Sequence, residues 1–319
     1  MGRISFAWIL LVIYSVLTPV VAQEAISVRV GIPRQAGLTN ANIALKEGPF
    51  AMHGLTASLI EFRSGNEAIA ALQGGSVDII LSSPPFAMTA NEADFDLVLL
   101  AQNETAHIRG PDTGSIQVDG GSLIKSPAEL LGKTVGVNTT RAHMTIALKK
   151  IFRDQVIDPN KVSYIEMPFF AQHDALKNKR VDAVISVDPL TTQMVLSGAG
   201  RIIGWLYSES IPEQPIGAWY AKAPYLAKNS LVGDRFIQAI RASIDWMNAD
   251  EARARREIAI YTGLEPLLIA QMPLNKLDYR IHPDKWQALI DMFVLAGELR
   301  QSHKFEEYVT DYIKADIIK

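Results

Sequence analysis

One pattern occurs twice in this chain, and that duplication limits what it can fold into. The first copy runs Ala71-Leu72-Gln73-Gly74-Gly75-Ser76-Val77-Asp78-Ile79-Ile80-Leu81-Ser82-Ser83-Pro84-Pro85. The second runs Ala175-Leu176-Lys177-Asn178-Lys179-Arg180-Val181-Asp182-Ala183-Val184-Ile185-Ser186-Val187-Asp188-Pro189. Ala-Leu, Val-Asp, Ser and Pro fall in register at a spacing of 104 residues, from Val77 to Val181. Each copy reads as a helix end, a polar turn, a short apolar strand and a Ser/Pro loop. A short apolar run bounded by turn residues suits a strand buried on both faces of an α/β sheet.

A second echo lies upstream of each copy. Val30-Gly31-Ile32 leads through a polar loop into Ile43-Ala44-Leu45-Lys46, and Val135-Gly136-Val137 leads into Ile146-Ala147-Leu148-Lys149. Self-similarity at one offset predicts two similar α/β lobes. In such sheets ligands bind beyond the carboxyl ends of the strands. That rule selects four loops: Pro33 to Asn40, Ser82 to Phe86, Asn138 to His143, and Ser186 to Leu190. If the lobes face each other, these loops line one cleft.

The N-terminus sets the compartment. Arg3 precedes an apolar run from Ile4 to Leu17, Pro19 breaks it, and Val20-Val21-Ala22 supplies small residues before Gln23. This is the pattern of a secretory leader, residues 1–22, cleaved after Ala22. The run is shorter than the roughly 20 residues a spanning helix needs. The mature chain is expected to be exported.

Strands are expected at Ile26 to Ile32, Leu55 to Phe62, Leu97 to Ala101, Thr134 to Val137, Ser163 to Glu166, Ile202 to Tyr207 and Ile216 to Tyr220. The turn-rich stretch from Gln102 to Gly121 reads as loop, with the first crossing between lobes at Gln102 to Ala106. The second crossing is expected near Ser208 to Pro215. Lobe 1 is then discontinuous, 23–103 and 209–319, and lobe 2 spans 104–208. From Pro224 the chain reads as helices that cover the core, with Pro283 to Arg300 and Phe305 to Ile318 as the last two.

The loop Asn138 to His143 carries the most chemistry. Thr139 and Thr140 offer hydroxyls at a helix N-terminus, where free N–H groups favour an anion. Arg141 adds a planar fork suited to carboxylate, sulfonate or phosphate, though a capped helix with a solvated arginine fits the same residues. Asp188 could accept a hydrogen bond from a ligand amine, pair with Arg141, or be a solvated turn aspartate. Phe169 and Phe170 could stack on a ligand or belong to the core, and Trp219 could wall the cleft or belong to the core. Asp78 and Asp182 begin their strands, far from the cleft end, and read as turn residues.

Other functions lack support. The formal net charge of −3 gives no electrostatic case for nucleic acid. With no cysteine, disulfides, thiolate metal sites and cysteine nucleophiles are excluded. The six histidines show no metal-ligand spacing. No Gly-rich phosphate loop and no G-x-S-x-G elbow occurs. The expectation is a non-enzymatic binder without metal or cofactor.

In order, Val30-Gly31, the helix from Ile43 to Gly48, the Leu130-Leu131-Gly132-Lys133-Thr134-Val135-Gly136-Val137 segment, and Ala175-Leu176 with Val181-Asp182-Ala183 and Pro189 resemble one family. It is the solute-binding proteins of ABC importers, in the nitrate/sulfonate/taurine group that includes binders of thiamine-pyrimidine precursors. The resemblance covers nearly the whole chain after the leader. It implies a periplasmic-binding-protein-like α/β fold, two lobes joined by two crossovers that close over one small molecule. It further implies a periplasmic monomer that hands its ligand to a permease in the inner membrane. Carried over by position, the ligand contacts are the loop Gln35 to Asn40 with Gln35, Thr39 and Asn40, then Ser82, Ser83, Pro84, Asn103, Thr139, Thr140, Arg141 and Asp188. The expected ligand is a small organic anion or zwitterion such as an aminosulfonate. A pyrimidine or other nitrogenous heterocycle is the alternative. Pyrimidine-synthesising enzymes of similar fold carry a cysteine cluster that this chain lacks.

Overall fold

The computed structural model describes residues 25–33, 40–63, 65–301 and 303–318. The expected leader, and Gln35 and Thr39 among the candidate ligand residues, lie outside them. Eleven strands form two sheets among the described residues. The first holds β1 (Ile26–Pro33), β2 (Leu55–Phe62), β3 (Ile79–Ser82), β4 (Leu97–Thr105), β10 (Pro215–Lys222) and β11 (Lys276–Leu277). The second holds β5 (Gly114–Asp119), β6 (Thr134–Val137), β7 (Ser163–Glu166), β8 (Ala183–Val187) and β9 (Gly200–Trp205).

The duplication in the sequence becomes a duplication of topology. The first sheet runs β2-β1-β3-β10-β4 with β11 at its edge, and the second runs β7-β6-β8-β5-β9. In each, three parallel strands are followed by one antiparallel strand that arrives from a crossing, β10 or β5. The repeated aspartates do the same work in both lobes. The Asp78 N–H donates to the Arg29 carbonyl, and the Asp78 carboxylate accepts from the Arg29 N–H, each at 2.8 Å. The Asp182 N–H donates to the Thr134 carbonyl, and the Asp182 carboxylate accepts from the Thr134 N–H, also at 2.8 Å. Each carboxylate pins the start of the motif strand to its parallel neighbour, at the end remote from the cleft.

Strand alternation builds the core on both faces of the first sheet. Val28, Val30 and Ile32 with Ile79, Leu81 and Trp219 face the helices Asn40–Lys46 and Ser230–Asn248. Ile80, Leu99, Ala218 and Tyr220 face the helices Gly65–Gln73, Pro84–Asn91 and Pro283–Leu295. A period of two on a sheet covered on both sides produces this division. In the second sheet Ile116, Val118, Val135, Val137 and Ile185 form the main cluster, and Val184 turns to a smaller one with Leu176 and Met194.

Several elements depart from the sequence expectation. The stretch expected as loop holds the end of β4 and all of β5. Its polar residues are interior: Ser115 meets the Thr191 hydroxyl at 2.9 Å, and Gln117 donates to the Thr191 carbonyl at 3.1 Å. Buried polar residues with partners mimic loop composition. Ile202 to Tyr207 divides into β9 and the helix Leu206–Ser210. The helix from Pro283 ends at Leu295 and is followed by Gly297 at φ 72°, and residues 305–316 form only short 3₁₀ turns.

The two crossings are neighbours. Thr105 at the end of β4 pairs with Pro215 at the start of β10, and the Ala106 N–H donates to the Gln214 carbonyl at 2.8 Å. Two adjacent connecting strands are the geometry of a hinge.

Candidate functional site

The carboxyl ends of the strands face one another across a cavity of about 160 Å³. Pro33 at the end of β1, Ser82 at the end of β3 with Ser83 after it, and Glu104 on β4 line it from the first sheet. Asn138 after β6, His143, Phe169, and Asp188 after β8 line it from the second. Thr113, Tyr207, Gly217 and Asn275 close the sides.

Two carboxyl groups dominate its electrostatics. Asp188 is held by the helix that follows it, Leu190–Leu196: one oxygen accepts from the Thr192 hydroxyl at 2.5 Å and the Thr192 N–H at 3.1 Å. Its other oxygen is buried without a partner. Burial, only partly offset by those hydrogen bonds, pushes its pKa up to about 6, and neighbouring Asp112 pushes the same way. Glu104 is only 4% exposed and accepts from the Asn275 amide. Burial raises its pKa to about 7. Gly217 leaves room for it, since a Cβ there would lie 2.8 Å from a Glu104 carboxylate oxygen.

Further unpaired atoms point the same way. The Ser82 hydroxyl and the Asn138 amide oxygen are buried without a partner, and both residues line the cavity. Buried polar atoms without partners are uncommon and call for a ligand or water. Among the described residues no lysine or arginine lines the cavity. His143 is buried, and desolvation drives its pKa down to about 4, so it is neutral at pH 7.

The candidate residues from the sequence divide accordingly. Ser82, Ser83 and Asp188 come together at the cavity. Pro84 is buried at the first turn of its helix, outside the lining. Asn40 and Asn103 are buried in lobe 1, where the Asn40 amide donates to the Asn103 oxygen at 2.7 Å. Trp219 is a core residue: its indole N–H donates to that same oxygen at 2.9 Å and its ring meets Phe236 edge-on. Phe170 is 80% exposed, and its neighbour Phe169 lines the cavity instead. Thr139 and Thr140 already hold a carboxylate, that of Glu166, through both hydroxyls and the Thr140 N–H. Arg141 is not placed as a clamp inside the cleft. Its guanidinium is 71% exposed and donates to Glu298 of the other lobe at 2.5 Å. An exposed ion pair of this kind contributes about 1 kcal/mol or less. Arg141→Ala is therefore expected to lower stability by no more than about 1 kcal/mol in urea denaturation.

Glu104, Asn138, His143, Tyr207 and Asn275 were not singled out by sequence. Asn138 and His143 bracket a loop that was. Glu104 carried no local signal, because only the length of β4 reveals it as interior.

The sequence profile of the NMT1/THI5-like family matches residues 35–254. The chain belongs to the NMT1/THI5-like family. No curated protein sequence matches this member closely enough to count. Solved structures share its fold at low identity. The periplasmic aliphatic sulphonate binding protein SsuA from Escherichia coli superposes with a TM-score of 0.73 at 18% identity, covering 90% of this chain and 98% of SsuA. The alkanesulfonate-binding SsuA from Xanthomonas axonopodis pv. citri, bound to MOPS, gives 0.71 at 17% identity, covering 91% and 99%. The nitrate-binding NrtA from Synechocystis PCC 6803 gives 0.70 at 14% identity, covering 92% and 86%. This NMT1/THI5-like chain therefore has the fold of the periplasmic binding proteins.

Proposed function

We propose that this chain is the solute-capturing subunit of an ABC importer. It is exported by the leader at 1–22, closes two lobes over one small molecule in the periplasm, and presents it to a membrane permease. The binding-protein fold and the cavity between its lobes support capture rather than catalysis. The ligand is a nitrogenous molecule rich in N–H donors, such as an amine, an amidine or an aminopyrimidine. One observation carries this choice: the unpaired Asp188 and Asn138 oxygens are acceptors, beside a buried Glu104 and with no lining lysine or arginine among the described residues. A charged oxygen buried without a partner is costly, and a donor on the ligand removes that cost.

A zwitterionic aminosulfonate is the second reading. The Ser82 hydroxyl, buried without a partner beside the cavity, is the donor that would meet its sulfonate.

A thermal-shift screen of the chain from Gln23 onward tests both. A ligand that binds only the folded state raises the melting temperature by mass action. Hits among amines, amidines and aminopyrimidines are expected. Hits confined to simple sulfonates and nitrate would overturn the donor-rich ligand and favour an anion site.

A further inference from the structure

We propose that His143 is a positioning residue that latches the two lobes through a hydrogen-bonded relay, Ser83–His143–Gln214. The three residues come from different parts of the fold. Ser83 stands at the N-cap position of the helix Pro84–Asn91 of lobe 1, His143 opens the helix His143–Asp154 of lobe 2, and Gln214 lies in the second crossing.

Chemistry fixes the direction of the relay. The Gln214 amide nitrogen donates to the Tyr207 carbonyl at 3.1 Å and to the Ser210 hydroxyl at 2.9 Å. Its oxygen is thus the atom that faces His143 Nε2 at 2.9 Å, and Nε2 must carry the proton. Buried and neutral, the ring has a bare Nδ1, which accepts from the Ser83 hydroxyl at 3.1 Å. Every polar atom of the ring is used, Nδ1 toward lobe 1 and Nε2 toward the second crossing.

Sequence explains why Ser83 is free to take part. A serine at a helix N-cap ordinarily accepts from the backbone N–H of the second or third helical residue. Here the second helical residue, Pro85, has no N–H to give, and the N–H of the third, Phe86, donates to the Ser83 carbonyl at 3.1 Å. The Ser83 side chain makes no capping bond and reaches across to lobe 2 instead. The ring is held in place by Tyr207, 5.2 Å away between centroids, and by Phe293 of lobe 1, 5.6 Å away. Ile146, on the same helix as His143, packs into the lobe 1 cluster beside Phe293. The Gln214 backbone in turn accepts from Ala106 in the other crossing. Ser83 and His143 also line the cavity, so the relay connects the binding loop directly to the hinge. This holds whatever the solute is.

The chain has no cysteine, so spin labels on introduced cysteines report on lobe separation without background. Met52 in lobe 1 and Leu123 in lobe 2 are 80% and 88% exposed and suit the labels. In the ligand-free protein carrying both labels, pulsed electron resonance should show mainly one short distance. Ser83→Ala, and His143→Phe, which keeps a ring but no polar atoms, should each add a longer-distance population. Loss of such bonds shifts the open-to-closed ratio roughly tenfold. Ser83→Thr, which keeps the hydroxyl, should match the labelled parent, a rescue that a packing role alone would not give. Circular dichroism melts confirm that each variant is folded. Unchanged distances in both Ser83→Ala and His143→Phe overturn the proposal. So does a parent that is already open, or a Ser83→Thr that behaves like Ser83→Ala.

Discussion

Asp188→Asn should weaken ligand binding strongly and stabilise the empty protein. The substitution keeps the shape of the side chain. The amide oxygen of asparagine can still accept from the Thr192 hydroxyl and N–H, which hold Asp188 now. What changes is the other oxygen, buried and unpaired in the empty cavity, which becomes an NH₂ group. A donor-bearing ligand then meets a donor where it needs an acceptor. Loss of one member of a buried charged hydrogen-bonded pair costs about 2–5 kcal/mol, so affinity should fall on the order of 100-fold. Calorimetry with whichever solute raises the melting temperature in the screen measures this. The same change relieves the empty protein of a buried carboxylate. Burial holds the Asp188 pKa up at about 6 against an ordinary 3.8, which corresponds to about 3 kcal/mol above pH 7. The variant should gain up to that amount at pH 8 in urea denaturation. Gain of stability with loss of binding is the signature of a site strained for function. Loss of binding with loss of stability would make Asp188 a structural residue. Unchanged affinity would remove it from the site.

How much of this was visible in the sequence varies with the range of the interactions involved. The repeat carries the fold, because Val77-Asp78 and Val181-Asp182 encode the same local event, a strand start tied to its parallel neighbour. Strand β5 was hidden because Ser115 and Gln117 look like loop residues, yet each has a buried partner on Thr191, more than 70 residues away. The cavity loops were legible, since the carboxyl-end rule follows from the strand pattern alone. Their individual roles were not. Thr139, Thr140 and Arg141 suggest an anion site until Glu166 and Glu298 are seen in contact with them. Phe169 and Phe170 are equal candidates until the helix Phe169–Lys177 turns one inward and the other out. His143 shows no metal spacing, and its partners Ser83 and Gln214 lie 60 and 71 residues away.

The same buried groups predict an inversion of the pH dependence of stability. In the empty wild-type protein, Asp188 and Glu104 have folded pKa values of about 6 and about 7, above their ordinary 3.8 and 4.5. The folded state therefore binds more protons than the unfolded state, and stability falls as pH rises from about 4 through 7. Each group contributes a loss of about 3 kcal/mol. His143 acts in the opposite sense. Its folded pKa of about 4 lies below the ordinary 6.5, so the unfolded state binds the extra proton. Stability from this group rises by about 3 kcal/mol between pH 4 and 6.5. Two carboxyls outweigh one histidine, and the net expectation is a fall of about 3 kcal/mol from pH 4.5 to 8. The double variant Asp188→Asn, Glu104→Gln leaves His143 as the dominant buried titrating group of the three. Its stability should rise with pH over the window in which that of the wild type falls. Every other titrating group, Asp112 and His303 included, is common to both proteins and cancels in the comparison. Urea denaturation at pH 4.5, 6 and 8 measures both slopes. Parallel curves would mean that the two carboxyls are ionised and hydrated in the empty cavity, and the electrostatic case for a donor-bearing ligand would go with them. An inverted slope would mean that both acids are protonated at pH 5 and ionised at pH 8 in the empty cavity, and a cationic ligand should then bind more tightly at pH 8 than at pH 5.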